Sequence, residues 1–587
     1  MNSKDHVPDF SAYTIKTDPA TFEVVKNGLY AAAEEMRIVM AKTAYSPLLK
    51  VAGDYSCGIF DIAGAMVAQG PDLPVHLGSM PDAVSAVVAA FDGFADGDVY
   101  IHNDPYQGGT HLPDINVVTP IVHDGTLLGF GCVRAHWPDV GSATPGSYGA
   151  ATDIYGEGLR LPPVQLYRQG EINEAVDAVI FANVRTPDER RGDLRAQMAA
   201  NRRACVRLGE MADRYGTETL LGIMQEVMDY SETMMRLLLR DMPDGEAVFE
   251  DFCDGDGIIE DGADEDEIIP VRLKAIKKGD TLTVDFAGSS PQVAGPMNAP
   301  LPVTASGVYT TVKMVVDPNN LVLPNSGCWR PVTLKAPEGC VFNAQWPAPV
   351  VYANHEMSHR AAEMLFGALA QIVPDRVMAG SQGTSGIFTV GGTDPKTGEH
   401  YISYDSVKGG FGARPTKDGI NSVASGIGNM MNTPIEILEM SFPLRVDRYE
   451  VIDDTGGAGK YRGGCGTRRI FRVLGHAARA AVCCERTKSA PFGLAGGLPG
   501  GTGRITLVDG GNSRVLNSKG AFTVPSDGQV VFDSPGSGGY GPPAERDADA
   551  LRSDMINGYV SADAARRDYG ITDPLAFMAG KPNPGKR

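Results

Sequence analysis

No stretch of this chain reaches the ~20 consecutive apolar residues that a membrane-spanning helix needs. The opening Met1-Asn2-Ser3-Lys4-Asp5 likewise has no apolar core of a secretory signal. Both absences lead to the expectation of a cytoplasmic protein. Basic charge is scarce: 52 Lys and Arg stand against 72 Asp and Glu, a net charge of −20. That is the wrong sign for a nucleic-acid or anionic-membrane surface. Paired cysteine spacing is missing too. The nine cysteines are odd in number and scattered, which gives neither a disulfide framework nor a Cys-x-x-Cys zinc knuckle. Adjacent Cys483-Cys484 is expected in a buried strand, and Cys57, inside an apolar strand, is expected to be inert. No internal repeat of solenoid period is visible. The run Gly456 to Tyr461 is no nucleotide loop, because Asp454 stands where the first P-loop glycine belongs and Tyr461 where the Mg²⁺-binding Ser or Thr belongs. A turn-rich hairpin is expected there. The acidic stretch Glu250 to Glu267 lacks the Asp-x-Asp-x-Asp-Gly spacing of a calcium loop and reads as a solvated loop.

What the chain has is length, glycine and mixed periodicity. At 587 residues it exceeds one core, and its 71 glycines fall in turn-like clusters that favour strands over a helical bundle. The fold class expected is α+β: a multidomain, β-rich chain with long helices and a metal site on a β-hairpin in the N-terminal half. Four units are expected: an N-terminal metal-binding catalytic domain at 1–245, an α+β middle domain at 246–375, a glycine-rich β domain at 376–540 and a tail at 541–587. Asp18-Pro19 opens a helix with an apolar stripe from Phe22 to Met40 that ends near Pro47. A strand is expected over 54–61, helix over 193–241, a strand at Leu282 to Phe286, and a helix over 354–373 capped by Asn354.

The most informative feature is a repeated phrase, His111-Leu-Pro-Asp114 and His136-Trp-Pro-Asp139, 25 residues apart. Between the copies, apolar runs flank Asp124-Gly125, a strong hairpin signal. With those two as turn residues, Asp114 faces Ala135, Pro113 faces His136 and His111 faces Pro138. Facing residues stand roughly 5 Å apart, so His111, Asp114 and His136 converge on one divalent ion. Imidazole and carboxylate ligands suit Zn, Mn or Fe(II). Asp139 reads as a partner orienting an imidazole. A rival pattern is His355-Glu356-Met357-Ser358-His359, which fits the His-Glu-x-x-His of zinc peptidases but has only Glu363, one turn on, as a third ligand. A structural or substrate-lining role for His355 and His359 is preferred.

Several phrases together resemble the hydantoinase B/oxoprolinase family. They are Asp54-Tyr-Ser-Cys-Gly-Ile-Phe-Asp61, Pro74-Val-His-Leu-Gly-Ser-Met80, Asn103-Asp-Pro-Tyr-Gln-Gly-Gly-Thr-His-Leu-Pro-Asp114 and Glu157-Gly-Leu-Arg-Leu-Pro-Pro163. Asp193-Leu-Arg-Ala-Gln-Met-Ala-Ala200, Asp285-Phe-Ala-Gly-Ser-Ser-Pro-Gln292 and Tyr461-Arg-Gly-Gly464 follow. The resemblance spans about 18–510, and its long Asn103 to Asp114 phrase is highly specific. It implies metal ligands at Asp54, His111, Asp114 and His136, of which Asp54 follows from the resemblance alone. One departure is Val51-Ala52-Gly53, where many relatives carry charge just before the Asp.

The resemblance also implies an ATP-dependent complex acting on hydantoins, lactams or 5-oxoproline. A partner subunit of the hydantoinase A type, with an actin-like ATPase fold, would bind ATP and phosphorylate the carbonyl oxygen, in a heterotetramer of two and two. This chain would activate water with its divalent ion, with Asp139 or His76 to orient or deprotonate that water. A subunit of an acetone- or acetophenone-type carboxylase is the alternative, and a non-catalytic metal-binding scaffold a third.

Overall fold

The computed structural model describes residues 13–76, 78–259 and 267–580. Helix α1 (Pro19–Thr43) starts where expected: the Asp18 carboxylate accepts the Thr21 N–H at 2.9 Å, with Pro19 in the first helical position. Its apolar stripe is buried from Phe22 to Met40. Next come β1 (Tyr55–Phe60), β2 (Met66–Gln69), α2 (Met80–Ala90), β3 (Val99–His102), β4 (Asp114–His123), β5 (Thr126–His136), β6 (Val164–Arg168) and β7 (Glu171–Ile172). These strands form one antiparallel sheet in the order β2-β1-β5-β4-β3-β6-β7. After α3 (Glu174–Ala182), the expected helical region is two helices, α4 (Pro187–Tyr215) and α5 (Thr217–Arg240), parted at Gly216 with φ +86°. Helix α4 lies against β4 and β5, where the Gln197 amide donates to the carbonyls of Ile115 and Val133 and Asn201 donates to that of Val117. Strand β1 is buried along its whole length, as is β5 beyond Leu127, which explains apolar runs in place of alternation.

The hairpin differs from its sequence reading by one residue. Asp124 (φ +47°) and Gly125 (φ +76°) make the turn, and His123 pairs with Thr126 as expected. Then Val122 pairs with Leu127 but Ile121 with Gly129, so Leu128 is an extra residue in β5. Beyond this bulge Asp114 faces His136, not Ala135. The pairings of Pro113 with His136 and of His111 with Pro138 fall with it.

A second sheet holds β8 (Gly245–Cys253), β9 (Ile269–Lys278), β10 (Thr281–Asp285) and β11 (Val332–Lys335), ordered β11-β10-β9-β8. Glu250 to Cys253, expected in a solvated loop, belong to β8. There Ala247 and Cys253 point inward and Glu246, Val248 and Glu250 outward, a half-buried strand whose acids face water. The rest of that stretch at 260–266 lies outside the described residues. Helices α6 (Leu301–Val316) and α7 (Ser358–Leu369) pack together beside this sheet. Helix α7 is shorter than expected and is preceded by a π-helical turn, Ala353–Met357, so Asn354 is no N-cap.

The glycine-rich region forms two sheets. Strands β12 (Ile387–Thr393) and β13 (His400–Ser406) join Ala478–Cys483 and Lys519–Val524 in one, and five more strands make the other. Gly456 to Tyr461 lies in the connection between the paired strands Leu444–Val451 and Thr467–Val473. Glycine is required here by contact: a Cβ on Gly412 would stand 1.8 Å from the Ala379 carbonyl oxygen, and one on Gly463 2.0 Å from that of Ser537. Three short helices end the described chain, and Arg546 ties them down through Asp418 at 2.8 and 2.9 Å. A continuous apolar core runs through the first three sheets, from Leu48 to Cys483. All nine cysteines are free, and burial pushes the Cys57 thiol well above its ordinary value. Among the described residues no helix is long and apolar enough to cross a membrane.

Candidate metal centre

The strand ends that carry the repeated phrase are closed by backbone hydrogen bonds. His136 N–H donates to the Asp54 carbonyl at 3.1 Å, and Trp137 N–H to that of Pro113 at 2.8 Å. Asp114 N–H donates to the His111 carbonyl at 3.1 Å, a turn that folds His111 back over Asp114. All three side chains are fully buried. Their polar atoms meet: His111 Nε2 stands 3.0 Å and His136 Nδ1 3.3 Å from Asp114 Oδ1.

The two oxygens of Asp114 have different company. Oδ2 accepts from the Thr110 hydroxyl at 2.6 Å and the Asn354 amide at 3.0 Å. Oδ1 has no hydrogen-bond partner, nor do His111 Nε2 and either nitrogen of His136. The His111 Nδ1 lies 2.9 Å from the Val351 carbonyl, which can only accept, so the proton is on Nδ1 and Nε2 carries a lone pair. Two lone pairs facing each other at 3.0 Å repel unless a cation lies between them. Donors bound to one ion at ~2.1 Å stand roughly 3.0–3.5 Å apart. The separations at Asp114 Oδ1 lie in that range, so these residues fit a divalent ion.

A third imidazole joins them. His355, on the π-helical turn, places a ring nitrogen so that the donors of His111, His136 and His355 all lie within 4.8 Å of one another. Its Nε2 is 3.2 Å from the Tyr404 hydroxyl on β13. The peptidase reading fails here, because Glu356 is turned away to accept from the Thr384 hydroxyl at 3.0 Å and Glu363 accepts the Ser381 N–H at 3.1 Å. His359 lies on the next turn and lines a cavity of about 440 Å³ together with His355 and Asp54. Tyr404, Lys408 and Ser425 line the same cavity from the glycine-rich region.

The electrostatics favour ligation. Burial opposes it, but the adjacent His111 and His136 rings hold the Asp114 carboxyl well below the usual carboxylate range. Burial, reinforced by the other imidazoles, drives His355 well below its ordinary value, and burial takes His359 down to about 3. Both imidazoles are therefore neutral, as a ligand must be. Burial raises the Asp54 carboxyl, opposed first by His136.

Of the residues chosen from sequence, the structure brings His111, Asp114 and His136 together and sets Asp54 at the cavity edge beside them. His76 lies behind: its Nδ1 is 2.8 Å from the Ser56 hydroxyl and its Nε2 3.6 Å from Asp114 Oδ2. Asp139 stands apart, with its oxygens held by the Arg185 guanidinium at 2.6 Å and the Arg185 N–H at 3.1 Å. Sequence reasoning weighed His355 in another pattern and missed its place here. It had no signal for Tyr404 or Val351.

Comparison with known proteins gives a consistent picture. The hydantoinase B/oxoprolinase family matches residues 18–543. The caprolactamase subunit beta of Pseudomonas jessenii is 35% identical over 574 residues, covering 94% of this chain and 96% of that protein. The crystal structure of ATP-dependent caprolactamase from Pseudomonas jessenii superposes with a TM-score of 0.87 at 32% identity, covering 96% of this chain and 99% of that one. A nucleotide-free acetone carboxylase structure also gives a TM-score of 0.87, at 21% identity over 95% of this chain and 80% of that one, a likeness of fold.

Proposed function

Because this chain belongs to the hydantoinase B/oxoprolinase family, we propose that it is the metal-dependent subunit of an ATP-dependent hydrolase that opens a cyclic amide or imide. The ring is of the hydantoin, lactam or 5-oxoproline type. The observation that carries this reading is the set of partnerless buried donors on His111, Asp114 and His136 beside an open cavity. A structural ion would be enclosed by protein ligands, whereas a catalytic one needs room for substrate and water. The greater identity to a caprolactamase than to an acetone carboxylase favours hydrolysis over carboxylation.

In this reading His111, Asp114 and His136 hold one Zn, Mn or Fe ion, with Asp54 and His355 on its cavity side. When bound, such an ion supplies Lewis acidity that brings the pKa of water from ~15.7 toward ~7. The protein's own residues do the rest. Thr110 and Asn354 fix one oxygen of Asp114 so that the other faces the imidazoles. Val351 fixes the tautomer of His111. His76 backs Asp114 from the protein side, and Asp139, engaged by Arg185, holds the end of β5; both are positioning residues. Tyr404 presents its hydroxyl to the cavity and to His355. Ring opening is hard because the amide carbonyl is resonance-stabilised and nitrogen leaves poorly, which is why a partner ATPase of the hydantoinase A type first phosphorylates the carbonyl oxygen. The assembly is a cytoplasmic heterotetramer of two and two.

The test is reconstitution with the partner ATPase. ATP-dependent opening of a lactam or hydantoin ring, abolished with the metal in His111→Ala, supports the reading. Bicarbonate consumption without ring opening replaces it with the carboxylase, and full ring opening by a metal-free protein removes it altogether.

A further inference from the structure

Four lysines are buried among the described residues, and three of them have an acid. Lys277 pairs with Asp244, Lys313 with Asp317 and Lys519 with Glu485. Lys408, 5% exposed, is the fourth. Its Nζ donates one hydrogen bond, to the Ser406 hydroxyl at 2.7 Å, and no carboxylate among the described residues forms an ion pair with it. The neighbouring Asp405 is taken by Arg469 at 2.6 Å. Burying an ammonium without a counter-charge is expensive, so such a group is retained where something else supplies the charge.

Lys408 lines the cavity beside the metal centre. The same wall carries the Ser425 hydroxyl, which is buried and without a hydrogen-bond partner. His359, kept neutral by burial, lines it as well. The one carboxylate on the cavity is Asp54, which lies beside the imidazole cluster and is committed to the ion in the reading above. A lone cation with an idle hydroxyl and a neutral imidazole is a donor set for an anion, and oxygen anions accept from such groups with short, strong hydrogen bonds.

We propose that Lys408 is a specificity residue that binds an oxyanion borne by the substrate in this cavity, with Ser425 and His359 as neutral donors around it. Two sources have the required chemistry: the phosphoryl group on an activated carbonyl, or a carboxylate carried by the ring itself. The identity of the substrate rests on the function proposed above; the binding of an oxyanion does not.

The experiment is calorimetric titration of the purified, metal-loaded chain with inorganic phosphate and, separately, with acetate, comparing wild type, Lys408→Met and Lys408→Arg. Wild type binds at least one probe. Lys408→Met weakens that binding at least tenfold, Lys408→Arg keeps most of it, and the melting temperature of Lys408→Met equals or exceeds that of wild type because a buried lone charge is gone. Equal affinity in Lys408→Met and wild type overturns the proposal, as does a wild type that binds neither probe. Turnover then assigns the source. A loss shared by 2-pyrrolidone and 5-oxoproline identifies the phosphoryl group, and a loss confined to 5-oxoproline identifies the ring carboxylate. If the reconstituted pair opens no ring with ATP, the functional reading falls while a phosphate or acetate loss in Lys408→Met still upholds the oxyanion site.

Discussion

His111 Nδ1 donates to the Val351 carbonyl at 2.9 Å, and the Val351 N–H in turn donates to Glu157 at 2.7 Å. The orientation of a candidate ligand in the first sheet is thus set by a carboxyl group it never touches. Outer partners of this kind typically change metal affinity by about 10–100-fold when removed. Glu157→Ala is expected to lower metal affinity by about that much, measured by competition with a chromogenic chelator, while Glu157→Gln, which keeps the acceptor oxygen, binds metal as wild type does.

The same pair predicts a pH effect on stability. Burial lifts the Glu157 carboxyl from its ordinary 4.5 to about 8 against the pull of the Val350 and Val351 N–H groups. A folded value raised in this way stabilises the protein fully below the unfolded value and gives that up as pH rises through the folded one. Between pH 4.5 and about 8 wild type therefore loses stability relative to Glu157→Gln, with a slope of at most about 1.4 kcal/mol per pH unit. Parallel curves of melting temperature against pH for the two proteins would contradict this.

Removing a ligand should remove metal and chemistry together. His111→Ala and His136→Ala are expected to purify with substoichiometric metal by elemental analysis and to lose about 100-fold or more in turnover. Wild-type metal content in either variant counts against the centre.

His355 sits on the cavity side of the cluster, and its Nε2 is shared with Tyr404. His355→Ala is expected to retain metal at saturating concentration but to release it about tenfold more readily, with ring opening impaired even when loaded. Unchanged metal affinity would reduce His355 to a cavity wall.

Gly129 follows the bulge with φ +152°, and a Cβ there would stand 2.1 Å from the Phe60 carbonyl oxygen. Gly129→Ala is expected to cost about 2–4 kcal/mol in denaturant unfolding and, by disturbing the register that sets Asp114 opposite His136, to lower metal content as well. A destabilised variant with full metal content would separate the bulge from the site.

Much of the site was legible because three of its residues flank one short hairpin whose turn, Asp124-Gly125, carries its own signal. Local chemistry fixes local geometry there. The bulge at Leu128 was not legible, since an extra residue in an apolar strand leaves no mark in composition, yet it moves every pairing toward the site by one. His355 comes from more than two hundred residues away, on a π-helical turn that no periodicity announces. The turn also removed Asn354 from its expected capping role and gave its amide to Asp114. Glu250 to Cys253 were misread because acidic residues on the solvent side of an edge strand look like a loop when the inward residues are small. The helices α1, α4 and α5, with long apolar stripes, were the easiest to see.

Where Gly412 and Gly463 let one main chain lie directly on another, the spacing of the glycine-rich region is at its lower limit. Nothing larger than hydrogen can enter, so this framework has no adjustable thickness. Descendants of this chain that change their preferred ring must do so by exchanging side chains on the cavity wall, at positions such as Ser425 and Met430, because the wall itself has no room to shift.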